Sequence, residues 1–238
     1  MQLLMRTERM ERLSLIRLLL VVGALAFSLL LRAASDNDQL YQVNLAEFPK
    51  YRALSLGKLG PTPFNCGRVI VQPAFAPEYS VSVYSRSLAQ GGMKYFVTYI
   101  APDQSLWETS DAGRNPQNAE NANVRRIDCE IPKEIAEKVK QVWLGMLTGN
   151  QSPTPMRAED AARATDATIA EFSIEVPPAE TLYGEIPAEV PKGPKTKTLV
   201  GLANALTEYC KAKPMDRSAI AGRVDREATR LLEMIKRG

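Results

Sequence analysis

Histidine is absent from all 238 residues. That absence excludes Ser-His-Asp and Cys-His catalysis, which need an imidazole to carry a proton near neutral pH. It also removes the usual nitrogen ligand of zinc and copper sites. Cysteine is scarce, with three well-separated residues, so a structural zinc site is not expected and the metal and cofactor expectation is none. Aromatic residues make up only 7%, so a core must lean on aliphatic side chains. Glycine-rich phosphate loops, dinucleotide fingerprints and calcium loops are missing as well.

An excess of positive charge is also lacking once the chain is divided. The formal net charge is +3, but Arg6, Arg9, Arg12, Arg17 and Arg32 all lie in the first 35 positions, against Glu8 and Glu11. The remaining residues carry equal numbers of bases and acids. Nucleic-acid binding rests on clustered Lys and Arg that displace phosphate counterions, so no nucleic-acid partner is expected.

What the chain does have is a hydrophobic run behind an arginine-bearing leader. Leu18 to Leu31 holds 14 successive uncharged residues, followed by Arg32-Ala33-Ala34-Ser35 and the polar Asp36-Asn37-Asp38. Positive head, apolar run and small residues at a cleavage point are the order of a secretory signal peptide. Residues 1–35 are therefore expected to export the chain, with cleavage after Ser35. The competing reading is an uncleaved anchor, for which the run is short, since a span needs about 20 apolar residues. Membrane contact is expected only through this segment, and only where it stays uncleaved. The expected location is periplasmic or extracellular, with residues 36–238 as one exported domain.

Periodicity gives that domain its class. Tyr79–Arg86 alternates Tyr79, Val81 and Val83 with Ser80, Ser82 and Tyr84, the pattern of a half-buried strand. Lys94–Ala101 is a second strand, and Gly91-Gly92 between them supplies the positive φ of a hairpin loop. RVIVQ at 68–72, 124–131, 167–176 and 181–186 read as further strands, and Leu106-Trp107-Glu108 as the start of another. The loop from Ser110 to Asn123 reads as a polar, flexible tip. Helices are expected near Asp38–Phe48, after Pro132, at Ala158–Ala164, and as a C-terminal pair separated by Pro214. The expected fold is α+β: a mainly antiparallel sheet of about five or six strands, helices on one face, and a helical C-terminal tail.

Candidate chemistry is thin. Asp128 and Glu130 flank Cys129 on one strand face about 7 Å apart, a spacing two hydrolytic carboxylates can use. They are the catalytic candidates, against the plainer reading of an exposed charged face beside Arg125 and Arg126. Glu171 and Glu175 read as a solvated face. Ser55-Leu56-Gly57-Lys58 matches the S-x-x-K pattern of serine enzymes activated by lysine, without its S-D-N and K-T-G companions. Tyr84, Tyr95, Tyr99 and Trp107 are the binding candidates, although tyrosines of a hairpin equally form cross-strand pairs. In an oxidising compartment Cys66 and Cys129, both in strand-like segments, are the candidate pair for a disulfide, and Cys210 reads as a small buried hydrophobe. Asn150-Gln151-Ser152 fits a glycosylation sequon.

The functional expectation is an exported, non-catalytic binding or envelope-accessory protein with an envelope or secreted protein as partner. The alternatives are a histidine-free carboxylate hydrolase and an inhibitor or immunity-type protein that blocks a secreted enzyme with the Ser110–Asn123 loop.

Overall fold

The computed structural model describes Asp38, Leu40, Tyr41 and residues 49–60, 63–149, 168–178, 180–188 and 193–237. The signal segment 1–35, the 158–164 helix and the Asn150 sequon lie outside the described residues, as does most of the helix expected near 38–48.

Six strands form one sheet: β1 (Gly67–Gln72), β2 (Tyr79–Ser87), β3 (Met93–Pro102), β4 (Val124–Glu130), β5 (Ile169–Val176) and β6 (Glu180–Pro187). Their order is β4-β3-β2-β1-β5-β6, with every neighbouring pair antiparallel. The α+β class with an antiparallel sheet is thus the observed one. The β2–β3 hairpin turns at Gly91 and Gly92, whose φ values of 83° and 93° are open to glycine and strained for other residues.

Among the described residues, three long helices follow: α3 (Lys133–Thr148), α4 (Pro194–Lys211) and α5 (Arg217–Arg237). Ile135, Val139, Val142, Trp143 and Met146 recur at helical spacing on α3 and are all buried. Leu199, Leu202, Ala203, Leu206, Tyr209 and Cys210 do the same on α4. These two stripes cover one face of the sheet, meeting Val69, Val81, Val83, Val97, Phe172 and Ile174 in one core cluster. Helix α5 packs on α3 and α4, with Val224, Ala228 and Leu231 buried. Lys138 of α3 reaches across to Asp225 of α5 at 2.6 Å.

One contact sets the height of α3 above the sheet. The Trp143 ring lies on Gly67, where a β-carbon would approach the ring to 2.7 Å. Its Nε1–H donates to the Arg68 carbonyl at 3.0 Å, and Phe172 packs 5.6 Å away between ring centroids. Gly67 has φ +126°, a conformation that other residues rarely adopt.

The second face differs from expectation. Helices were expected on one face only, but α1 (Pro49–Leu59) and the one-turn α2 (Leu106–Thr109) cover the other. Tyr51, Ser55 and Leu59, four residues apart, form the buried stripe of α1. Tyr51 and Leu59 join Ile70, Ile100, Leu106, Ala119 and Ala122 in a smaller apolar cluster. In consequence β2 is buried on both faces, and Ser80 and Ser82 are not solvated. Glu171 is corrected likewise: it is buried and makes a bidentate pair with Arg52 of α1 at 2.7 Å, whereas Glu175 is exposed.

Leu106–Glu108 is helical rather than a strand because of a buried carboxylate. Glu78 accepts from the Leu106 and Trp107 N–H groups at 2.7 and 2.8 Å and from the Tyr51 hydroxyl at 2.7 Å. An anion at a helix start satisfies N–H groups that have no helical partner. Ser105 caps the same turn, its hydroxyl accepting from the Glu108 N–H at 3.2 Å. Burial, then the Glu78 charge, push the Tyr51 phenol far up, so it stays a donor. The Ser110–Asn123 segment is built rather than loose: it holds a 3₁₀ turn at Pro116–Ala119, and Ser110, Gly113, Ala119 and Ala122 are buried.

Removing the Glu78 carboxylate strands four donors, because the Ser105 hydroxyl also reaches it at 3.4 Å. Glu78→Ala is expected to cost about 3–5 kcal/mol in urea denaturation, and Glu78→Gln, which keeps one acceptor oxygen, clearly less. A loss below about 1 kcal/mol for the alanine variant contradicts the anchoring role.

Candidate binding edge at strand β4

β4 is the outermost strand on its side of the sheet. Its sequence, VRRIDCE, keeps only Cys129 buried and Ile127 half-buried, on the face that meets α4. The Ile131 N–H donates to the Tyr95 carbonyl at 3.0 Å, which fixes the ladder's phase. Residues 125, 127 and 129 therefore bond towards β3, and Val124, Arg126, Asp128 and Glu130 turn their N–H and C=O groups away from it. The Glu130 carbonyl is taken by the Tyr209 hydroxyl at 2.7 Å. Among the described residues no strand pairs with this edge. The opposite edge differs, because Tyr41 exchanges two backbone bonds with Glu185 of β6, at 2.8 and 3.0 Å.

Charge lines the open edge. Arg126 makes two bonds to Asp128, Nε to Oδ2 at 2.8 Å and Nη2 to Oδ1 at 3.0 Å, and the Thr98 hydroxyl also donates to Asp128. Lys94 pairs with Glu130 at 2.9 Å. Such charges are the usual protection of an exposed edge against indiscriminate strand pairing. Where β4 runs into α3, a groove of about 440 Å³ opens, lined by Met93, Lys94, Tyr95, Glu130, Lys133 and Tyr209 among others. Tyr95 donates to Glu137 at 3.2 Å there. Local desolvation, then Glu137, holds its phenol above the ordinary value.

The carboxylate candidates differ in their surroundings. Glu130 lines the groove and Asp128 does not. Both are solvent-exposed, and each is held by its own cation. Partial burial works to raise the Asp128 pKa, but hydrogen bonds from Arg126 and Thr98 and the guanidinium charge outweigh it and hold the carboxyl below its ordinary value. A general acid needs the opposite shift. The S-x-x-K residues are likewise apart in role. The Lys58 ammonium donates to the Ala122 carbonyl at 3.1 Å and to that of Glu120, while the Ser55 hydroxyl is buried with no hydrogen-bond partner among the described residues.

The aromatic candidates are built largely into the sheet. Tyr84 and Tyr99 are each only 8% exposed. Tyr84 sits directly opposite Phe96 in register and stacks on it at 5.5 Å, a cross-strand pair. Tyr99 packs against Tyr79 at 5.7 Å with the Lys211 ammonium 4.2 Å over its ring. Trp107 meets Tyr51 edge-on at 5.0 Å beneath α1. Of the four, Tyr95 alone reaches the groove.

All three cysteines are free thiols, and their neighbours differ from expectation. Cys66 hydrogen-bonds through its N–H to Val83 on β2, and Val83, Val97 and Cys129 follow one another across β2, β3 and β4. That row puts Cys66 three strand spacings, about 14 Å, from Cys129. A disulfide needs α-carbons within about 7 Å. Cys129 instead meets Cys210 of α4, with 3.0 Å between the sulfurs. Lys94, Lys133 and Tyr209 are groove residues that sequence reasoning did not single out. Nothing in a strand or helix pattern signals that their tips converge.

The Asp128 arrangement predicts a pH dependence. Its depressed pKa contributes stability above the unfolded value of about 3.9, lost as pH falls through the folded value. Asp128→Asn is expected to lower stability at pH 7 by no more than about 1 kcal/mol, because the pair is solvent-screened. At pH 3 the gap to wild type should narrow. An equal gap at both pH values in denaturant titrations contradicts the ion-pair account.

Compared with known proteins, the chain matches no family model, no curated protein and no solved structure.

Proposed function

We propose that the chain is an exported, non-catalytic binding protein of the cell envelope or extracellular space. It takes an extended segment of a protein partner along the open edge of β4. The observation that carries this reading is the outward row of backbone groups at Val124, Arg126 and Asp128, left without a neighbouring strand among the described residues. An added strand supplies main-chain hydrogen bonds along such a row, and adjacent pockets choose its side chains. The groove at Tyr95, Glu130 and Lys133 lies at the end of that row and supplies such a pocket. The charged residues of β4 restrict partners to segments that match them. Export is supported by the arginine-bearing leader and the run Leu18–Leu31.

Two readouts from one preparation test the proposal. The tagged full chain, expressed in its native host, is captured from the envelope or secreted fraction and its N-terminus is sequenced. The expected result is a chain beginning at Asp36 with one stoichiometric protein partner. Arg126→Pro removes an outward N–H without touching the β3 ladder, and is expected to reduce capture at least about tenfold with folding intact. A cytosolic chain that retains Met1 overturns export. Equal capture by the proline variant, or no partner, overturns the edge as the binding surface.

A further inference from the structure

The Cys129 side chain leaves β4 towards α4, and Cys210 lies in the last turn of α4 facing β4. Their sulfurs, 3.0 Å apart, are about 1 Å beyond the bonded separation of roughly 2.0 Å. The two cysteines are 4% and 1% exposed. Neighbouring contacts hold them in place. Tyr209, one residue before Cys210, donates to the carbonyl of Glu130, one residue after Cys129, at 2.7 Å. Lys211, one residue further, rests over the Tyr99 ring. Both thiols also reach the Val97 carbonyl, at 3.5 and 3.4 Å, and that of Cys210 reaches the Ile127 carbonyl at 3.2 Å. The approach of the sulfurs is therefore set by the docking of α4 on the sheet edge.

We propose that Cys129 and Cys210 form a disulfide that locks α4 to β4, leaving Cys66 as the single thiol. The bond is made by exchange with an external disulfide, either oxidised glutathione or the active disulfide of an exchange enzyme. The Cys129 thiolate attacks one sulfur of that disulfide and expels the other as a thiolate, which takes up the proton Cys129 gave up. Cys210 then loses its proton and attacks the Cys129 sulfur of the mixed disulfide. The second sulfur of the oxidant leaves and takes that proton. Two protein thiols lose two electrons and two protons, and the oxidant gains both as two thiols.

In the docked arrangement the two thiols are unequal. The hydrogen bond between the two sulfurs outweighs burial and holds the Cys129 thiol below its ordinary value, while the same bond and then burial push Cys210 up. Burial pushes the Cys66 thiol up to about 11, which keeps it protonated and out of exchange. Because docked α4 covers both sulfurs, the exchange belongs to folding, before the helix closes over β4. The pairing rests on this geometry and not on the compartment; export supplies the oxidant.

The test refolds the reduced full chain in a buffer of oxidised and reduced glutathione, then alkylates it under denaturing conditions. The expected result is loss of two of the three alkylatable thiols, with tryptic peptides 127–133 and 198–211 joined and only Cys66 labelled. Cys66→Ser should keep the bridge, and Cys210→Ser should abolish it without a substitute. Three labelled cysteines in the refolded chain, or a bridge that contains Cys66, overturns the proposal.

Discussion

The seat of Trp143 on Gly67 is the constraint on which the rest of this architecture depends. An indole can lie flat on a strand only where the strand has no side chain, and the close approach is what lets its N–H reach the Arg68 carbonyl. That bond fixes both the height and the rotation of α3. The helix must carry the chain from edge strand β4 to β5, which pairs beside β1. Its seat thus decides how β5 and β6 join the first four strands. Once α3 is placed, α4 fills the remaining sheet surface over β3 and β4, and α5 rests on both. Fully burying an indole is among the larger single contributions a core receives, about 3–5 kcal/mol on truncation.

The other face is organised by charge rather than by oil. Glu78 and Glu171 are buried carboxylates, and each is met by donors from the segment that covers it: Tyr51 and the α2 backbone for one, Arg52 for the other. Arg68 is buried there too, donating to Ser173 and the Gly60 carbonyl at 3.3 Å and lying 3.7 Å over the Phe64 ring. Breaking any of these leaves an uncompensated group in a poorly solvated place, which is costly even where the intact pair contributes little. They therefore specify how α1 and α2 sit. The sheet is buried on both sides at its centre and open at β4, and this contrast gives the exposed edge its chemical character.

Much of the fold was legible in the sequence where the signal was local. Gly91-Gly92 between two alternating runs marked the hairpin, Pro132 marked the start of α3, and the apolar stripes of α4 and α5 were visible at helical spacing. What stayed hidden depends on partners distant in the chain. Leu106–Thr109 is helical because a carboxylate 28 residues earlier reaches the Leu106 N–H. Glu171 looks like a solvent-facing residue of an alternating strand until Arg52, 119 residues away, covers it. Cys129 and Cys210, 81 residues apart, meet only because α4 docks on β4. The candidate site was legible only in part: Tyr95 and Glu130 were named, but the groove comes from their meeting with Lys133 and Tyr209.

The most direct measurement of the central claim is the stability of Gly67→Ala. A single methyl here meets the Trp143 ring and also demands a backbone conformation that alanine resists. Equilibrium urea unfolding followed by tryptophan fluorescence should show a loss of at least about 3 kcal/mol, with a changed native emission as the indole is displaced. A variant with wild-type stability and unchanged emission would mean that α3 is not seated by this contact, and the account of how the sheet is assembled would fall.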